Sequence, residues 1–222
     1  MGSYVKKSRR NPLAWVLDSP AWLSFLYTAP WRASGGAVTE LEYPQTLTPD
    51  GFEVHIIDEK AVQVPVVHIG FKKWQGEPIK NTFGGKGLID FNGQPMFAEL
   101  AIKHLAELGS WEARWVETYA MKGGLPYYFS EWGDMALPQQ KQDPITNKNV
   151  LESMDLIAQH NKSSYYGCWD VVTWNKSSVI YIEAKRTKYD RVRPTQDRWL
   201  EAGVRAGFHP NNFMVAWWDF TS

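Results

Sequence analysis

Residues 170–185 read DVVTWNKSSVIYIEAK. Two short runs rich in valine, isoleucine, tyrosine and tryptophan flank the polar segment 175–178, which is typical of a tight connection between two strands. We therefore predict an antiparallel hairpin with strands at 168–174 and 179–185. The pairing of these two strands decides which side chains face each other.

A four-residue turn sets the register of this hairpin. If Trp174 faces Val179, each step outward continues the pairing until Asp170 faces Glu183. Directly opposed residues share a sheet face, with their Cβ atoms roughly 5 Å apart. Because side chains alternate along a strand, Lys185 projects from the same face as Glu183. The opposite face of the second strand carries apolar side chains that are predicted to pack into the core: Ile180, Ile182 and Ala184.

Two acids and an ammonium at one end of a hairpin suit the hydrolysis of phosphodiesters. That reaction uses a hard cation held by oxygen ligands. We predict Mg²⁺ or Mn²⁺ bound by Asp170, Glu183 and the backbone carbonyl of Ala184. Lys185 would orient the attacking water or neutralise charge in the transition state. Spacing alone leaves a second interpretation open, in which the acids are separate surface groups and Lys185 pairs with one of them.

The chain around the hairpin alternates between helical and extended patterns. The predicted elements after residue 90 are a helix at 95–108, a strand at 111–119, a polar connection at 123–150 with helix in part of 149–160, the hairpin, a helix at 194–207 and a strand at 213–218. This order predicts an α/β (α+β) fold, with a central mixed sheet flanked by helices.

The first 90 residues have a different character, with frequent proline and glycine between short β-prone runs. Strands are predicted at 52–57 and 61–71, around a turn at 58–60. We predict two regions: residues 1–90 as an N-terminal β-rich extension of unknown role, and residues 91–222 as the domain that carries the chemistry.

The hairpin and its flanking helices resemble the PD-(D/E)XK nuclease superfamily. Asp170 followed by Glu183-Ala184-Lys185 is similar to its D…(D/E)-x-K signature, and the segment 193–207 is similar to the glutamine-containing helix of the virus-type replication–repair nucleases and of related Holliday-junction resolvases. The resemblance covers roughly residues 94–218, with 123–150 as an insertion. One departure is Trp169, which stands where the name-giving motif has proline.

This resemblance implies a restriction-endonuclease-like core and two further site residues. Glu99, near the start of the predicted helix, matches the helix glutamate that many members place at the metal, and Gln196 matches the active-site glutamine. Both have simpler interpretations, as a solvent-facing and a first-turn helix residue. Nearby acids compete with Glu99 for its role: Glu107, Glu112 and Glu117.

The composition excludes several classes of function. The single cysteine, Cys168, cannot form an internal disulfide, a four-cysteine zinc site or an iron–sulfur cluster. The glycine-rich segment 84–87 lacks the spacing of a phosphate-binding loop, so no nucleotide cofactor is expected. The apolar run near the N-terminus is interrupted by Asp18 and Pro20, so we expect no membrane span and an intracellular protein, in the cytoplasm of a bacterium or of a virus-infected host.

The formal net charge of the 222 residues is zero, so an affinity for nucleic acid must come from a local surface. Four basic residues cluster around the last predicted helix and are expected to bind phosphates, although a solvated surface would show the same pattern: Lys188, Arg191, Arg193 and Arg198.

The expected function is a metal-dependent nuclease that hydrolyses DNA, in repair, recombination, or phage or defence DNA processing. The alternative is a nucleic-acid-binding or assembly protein that retains a nuclease fold, for example in a phage particle or a transposition complex. Cutting two strands would require a homodimer or a partner subunit.

Overall fold

The computed structural model describes residues 41–119, 121, 124–190 and 194–221. The apolar run near the N-terminus, with Asp18 and Pro20, therefore lies outside the described residues, as do Arg191 and Arg193. The helices are α1 (Ala98–Ala106), α2 (Lys148–His160) and α3 (Pro194–Arg205). The strands are β1 (Gly51–Ile57), β2 (Lys60–Lys73), β3 (Ile89–Phe91), β4 (Gln94–Met96), β5 (Glu112–Glu117), β6 (Tyr127–Phe129), β7 (Val171–Trp174), β8 (Val179–Arg186) and β9 (Phe213–Phe220).

The nine described strands form one mixed sheet with the order β4-β3-β2-β9-β8-β7-β5-β6, and β1 pairs with β2. Strand β9 runs parallel to both of its neighbours, β8 and β2. The other pairs are antiparallel. This topology confirms the predicted α/β class with a central mixed sheet.

The β7–β8 hairpin has the predicted register. Trp174 faces Val179, and the pairing continues to Val171 opposite Ile182. The Asn175 side chain fixes the turn, since its Oδ1 accepts hydrogen bonds from the backbone amides of Ser177 and Ser178, both at 2.8 Å. An asparagine that closes a turn in this way is a common alternative to backbone-only turns.

The central strands β7 and β8 are covered on both faces, and strand alternation separates the two sides. Helices α2 and α3 pack on one face, against side chains that include Val172, Tyr181 and Val215. Helix α1 packs on the other face, where Ile180, Ile182 and Ala184 are buried as predicted. The end of the hairpin that carries Asp170 and Glu183 therefore lies between two helical layers.

The β-rich character predicted before residue 90 is present, and these strands join the central sheet. Asp58 and Glu59 form a two-residue turn with φ of 47° and 64°, the left-handed conformation that favours a tight hairpin. The later part of β2 runs along β9, with Val66 facing Val215. The division of the chain at residue 90 stays a prediction, and the sheet continues across it.

One helix begins later than predicted. Pro95 was expected in its first turn, but it lies in β4 opposite Asp90, and α1 begins at Ala98. The reason is a hairpin at Asn92-Gly93, whose φ values of 54° and 79° are those of a tight turn. Proline is tolerated in such a short strand at the edge of a sheet.

Candidate active site

A groove of about 1150 Å³ opens where β5 and β8 end and β7 begins. Its lining comes from both helical layers and from the loop before β3. All five residues that were predicted as catalytic line this groove: Glu99, Asp170, Glu183, Lys185 and Gln196. Ala184, predicted to offer its carbonyl, lines it as well.

Glu183 is the most deeply buried of the acids, with 0% of its surface exposed. Its Oε1 accepts hydrogen bonds from Lys185 Nζ and Gln196 Nε2. Its Oε2 is buried without a hydrogen-bond partner among the described residues. Burial raises the pKa of Glu183 well above its usual range, and the charge of Asp170 raises it further. A buried carboxylate oxygen without a partner is costly unless a cation or a proton satisfies it.

Asp170 lies one residue before β7 and fastens the end of the sheet. Its Oδ2 accepts a hydrogen bond from the Ala184 amide at 3.0 Å, and its carbonyl accepts one from the Val116 amide at 2.8 Å. Burial raises the pKa of Asp170, and the charge of Glu99 adds to the effect against the opposing charge of Lys185. The strand was predicted to begin at residue 168, but the chain turns there, which brings Asp170 over the Ala184 amide.

Lys185 is held between the two acids and is only 5% exposed. Burial alone would lower its pKa, but the charges of Glu183 and Asp170 outweigh burial and raise the pKa of Lys185. The ammonium of Lys185 therefore stays charged, and it forms an ion pair with Glu183 on the same buried strand.

Gln196 reaches the acids from the first turn of α3, and a glycine fixes the position of that turn. Trp169 Nε1 donates to the Gln196 carbonyl at 3.2 Å. Gly167 has a φ of 83°, and a Cβ at this position would lie 2.1 Å from the Thr195 carbonyl oxygen. Only glycine permits this approach of the loop before β7 to α3. Sequence reasoning did not indicate Gly167, because its contact with Thr195 joins two segments that no local pattern relates.

Two glutamates compete for the position beside the hairpin. Glu99, in the first turn of α1, accepts a hydrogen bond from Lys86 Nζ at 2.5 Å. Burial would raise the pKa of Glu99, but the charge of Lys86 lowers it. Glu117, at the end of β5, lines the same groove, and burial raises its pKa. The remaining rivals lie elsewhere: Glu107 pairs with Lys103 on α1, and Glu112 is exposed.

Two of the four predicted phosphate-binding residues are described by the structure, and neither lines the groove. Lys188 and Arg198 are exposed, and neither contributes to the lining. The described lining carries three other basic residues: Lys86, Lys185 and Arg186. Lys86 was not predicted as a site residue, because its contact with Glu99 joins two segments that the β3–β4 hairpin separates in the sequence.

The residues of the groove fit a hard divalent cation. The described lining contains three basic residues against five acidic ones, which are Glu99, Glu117, Asp170, Glu183 and Asp190. Among the described residues, no group of three Asp, Glu, His or Cys side chains is arranged to hold a metal ion. A cation here would therefore need backbone or water oxygens, as Mg²⁺ commonly accepts. Glu183 Oε2 has no hydrogen-bond partner in the described part of the chain and is repelled by the charge of Asp170. A bound cation would provide the missing partner and offset this repulsion.

The fold and the groove define an α/β protein of the restriction-endonuclease-like class. The chain belongs to the VRR-NUC domain family, whose family model matches residues 107–217, half of its length. This is a PD-(D/E)XK-like family of virus-type replication–repair nucleases that act on DNA, which confirms the predicted resemblance. No curated protein and no solved structure matches the chain significantly.

Within the described part of the chain, the helices are too short or too polar for any of them to cross a membrane.

Proposed function

We propose that this protein is a Mg²⁺- or Mn²⁺-dependent nuclease that hydrolyses DNA phosphodiester bonds at the groove between β5, β8 and α3. Membership of a DNA nuclease family supports the substrate. The single observation that supports metal dependence is the buried Glu183 Oε2, which has no partner among the described residues and faces a neighbourhood of excess negative charge.

Asp170, Glu183 and the Ala184 backbone carbonyl would hold the cation. In a strand, the amide and the carbonyl of one residue point to the same side. Because the Ala184 amide donates to Asp170, the Ala184 carbonyl also points to the side where β7 has ended. When bound, the metal ion would polarise the phosphate and lower the pKa of water. Glu99 would assist at the ion, directly or through water.

The other residues position the reactants. Lys185 Nζ would orient the attacking water and offset negative charge as the water oxygen bonds to phosphorus and the bond to the leaving oxygen breaks. Gln196 donates to Glu183 Oε1, and Oε2 of the same carboxylate has no hydrogen-bond partner among the described residues. Fixed charges and donors at the place where charge develops are usually the largest contribution to catalysis.

A cleavage panel tests this proposal. Purified protein is incubated with linear, nicked, forked and four-way DNA, with single-stranded DNA and with RNA, in Mg²⁺, Mn²⁺ or EDTA. We expect cleavage of DNA that EDTA abolishes. Glu183→Ala and Lys185→Ala should each lose cleavage while keeping the circular dichroism spectrum of the wild type. Glu112→Ala, an exposed glutamate on β5, is the matched control and should cut normally.

The same panel can contradict the proposal. Tight DNA binding that is unchanged by metal, together with no cleavage of any substrate, would favour the alternative of a binding or assembly protein with a retained nuclease fold. Light scattering on the same sample would show whether two copies supply the two sites that double-strand cleavage requires.

A further inference from the structure

The loop before β3 delivers a second lysine into the groove. Residues 82–86 form a tight turn, in which the Gly85 and Lys86 amides donate to the Thr82 carbonyl at 3.2 and 3.0 Å. Gly84 and Gly85 have φ values of 80° and 89°, which glycine adopts at little cost. This glycine-rich segment is unrelated to phosphate-binding loops by its spacing, yet its lysine lines the same groove as Asp170 and Lys185.

Aromatic packing holds this loop in place. The Phe83 ring lies 6.0 Å from the Trp115 ring and 5.1 Å from the Trp132 ring, between centroids. Trp132 Nε1 donates to the Asn81 carbonyl at 3.0 Å, and the Asn81 side chain accepts from the Phe83 amide at 3.0 Å. The loop is thus fastened to β5 and to the connection after β6, so the position of Lys86 is defined by the fold.

The Lys86 ammonium has spare donors at the groove. It carries three N–H donors, and Glu99 is the one hydrogen-bond acceptor that it contacts among the described residues. It also lies 5.2 Å from the ring centroids of Phe83 and Trp115, where the ring faces favour a cation. The side chain is 31% exposed, so a ligand in the groove can reach it.

A purely structural ion pair accounts poorly for this arrangement. The pair is only partly buried, and such ion pairs contribute little to stability, because the loss of hydration offsets their attraction. The Lys86–Glu99 pair lies in the groove itself, and the charge of Lys86 acts on Asp170 as well as on Glu99. A positive charge held beside the candidate metal ligands is suited to a ligand that brings negative charge of its own.

We propose that Lys86 is a substrate-binding residue: its ammonium binds a phosphate oxygen of the DNA backbone in the groove, and Glu99 positions its side chain. This inference rests on the proposed nuclease function. It gives the N-terminal extension a part in substrate binding, because Lys86 precedes the residues 107–217 that match the family. The ligand class is a phosphodiester, and the remaining N–H donors of Lys86 supply the contact.

The test compares Lys86→Ala, Lys86→Arg and the control Lys80→Ala in the full chain. Lys80 lies in the same segment, but its side chain is exposed and its partner, Asp134, is 3.8 Å away at the surface. DNA affinity is measured by fluorescence anisotropy at several salt concentrations, and kcat and KM are measured with Mn²⁺. We expect Lys86→Ala to weaken binding by about 10-fold, the effect of losing one hydrogen bond to a charged group.

The salt dependence provides a readout that a structural role would not change. Loss of one phosphate contact should lower the slope of log affinity against log salt by about 0.9 on duplex DNA. Lys86→Arg should restore both the affinity and the slope, and Lys80→Ala should match the wild type.

Three results would overturn the inference. The first is an unchanged DNA affinity and salt slope for Lys86→Ala while the wild type cuts DNA, which rejects the role of Lys86 but keeps the nuclease function. The second is a lower melting temperature for Lys86→Ala with no change in DNA affinity, which assigns Lys86 a structural role. A wild type that neither binds nor cuts DNA overturns the proposed function, and this inference with it.

Discussion

The β7–β8 hairpin and the β1–β2 hairpin are built alike but lie in opposite surroundings. Both strands of the first are buried on both faces along almost their whole length. In β1, alternate side chains are exposed: Phe52 by 62%, Val54 by 61% and Ile56 by 66%. One hairpin is a central part of the sheet and carries the acids of the groove, whereas the other has one face open to solvent.

The difference between the two hairpins determines how much hydration energy a charged residue loses on folding. On the covered hairpin, Glu183 and Lys185 have lost nearly all contact with water, and each ion there carries a penalty of several kcal/mol, by order of magnitude, before pairing. On the open hairpin, Glu53 and His55 pair beside Asp197 of α3, with 24% and 12% of their side chains exposed. They therefore lose less hydration than Glu183 and Lys185. Charged residues in the covered hairpin lower stability, and we therefore infer that Glu183 and Lys185 serve the function of the groove.

The largest expected contrast is in cleavage, between aspartate-to-asparagine changes on the two hairpins. Asp170→Asn keeps the shape and the acceptor for the Ala184 amide but removes a proposed metal ligand, so cleavage should fall by at least about 10²-fold. Because burial and Glu99 raise the pKa of Asp170, its charge opposes folding, and the metal-free variant should melt at a higher temperature. Steady-state cleavage and calorimetry measure the two effects.

Asp58→Asn is the control for that comparison. Asp58 lies in the exposed β1–β2 turn and pairs with Arg205 at 2.5 Å. Because water and salt screen an exposed ion pair, its removal should barely change the free energy of unfolding, and cleavage should be unchanged. Equal losses of cleavage in both variants would break the assignment of Asp170.

The next contrast is in stability, between isoleucine-to-alanine changes. Ile180 in β8 is fully buried, and Ile56 in β1 is mostly exposed. Ile180→Ala should lower the free energy of unfolding by about 2–5 kcal/mol, through lost burial and a cavity. Ile56→Ala should stay within about 0.5 kcal/mol of the wild type. Urea denaturation measures both, and a costly Ile56→Ala would show that the open face of β1 is covered in solution.

The smallest expected effect is the pH dependence of the open hairpin. Burial would lower the pKa of His55, but its hydrogen bond to Glu53 and the nearby charge of Asp197 raise it. A histidine with a raised folded-state pKa stabilises the fold fully below its unfolded pKa of about 6.5, and this contribution is lost as the pH rises through the folded-state pKa. His55→Gln should therefore lower the free energy of unfolding most in mildly acidic solution, and the loss should be less than about 1 kcal/mol.

A double-mutant cycle checks the cause. The free energy of unfolding is measured between about pH 5.5 and 8.5, a range that brackets the unfolded pKa of histidine. The change His55→Gln is made both in the wild type and in Glu53→Gln. If the pH-dependent part survives in the Glu53→Gln background, the hydrogen bond between these two side chains is not its origin.

The sequence predicted what local patterns encode. Alternation and a polar turn were enough for the β7–β8 register, because a shift of one residue would have turned Ile180 and Ile182 to the wrong face. The boundaries of most other elements lie within two residues of the prediction. The hairpin at Asn92-Gly93 was not predicted, because Pro95 suited a helix start, and the predicted helix therefore began too early.

Contacts between distant segments were beyond local patterns. Lys86 meets Glu99 only because the β3–β4 hairpin folds between them, and Gly167 meets Thr195 only in the packed protein. Likewise, the parallel pairing of β2 with β9 joins Val66 to Val215 across most of the chain. Glu117 was recognised as a rival and ranked below Glu99, but its distance from Asp170 depends on the pairing of β5 with β7, which no local pattern encodes.

The position of β9 has a consequence for the order of events during synthesis. This strand pairs with β8 on one side and with β2 on the other, yet it is made after both. Until β9 arrives, β8 has an open edge along apolar residues, which is a template for wrong pairing with other chains. The ribosome therefore completes the groove-lining residues from Phe83 to Gln196 before it supplies β9. That strand joins the two halves of the sheet, closes this edge and adds Trp218 to the lining.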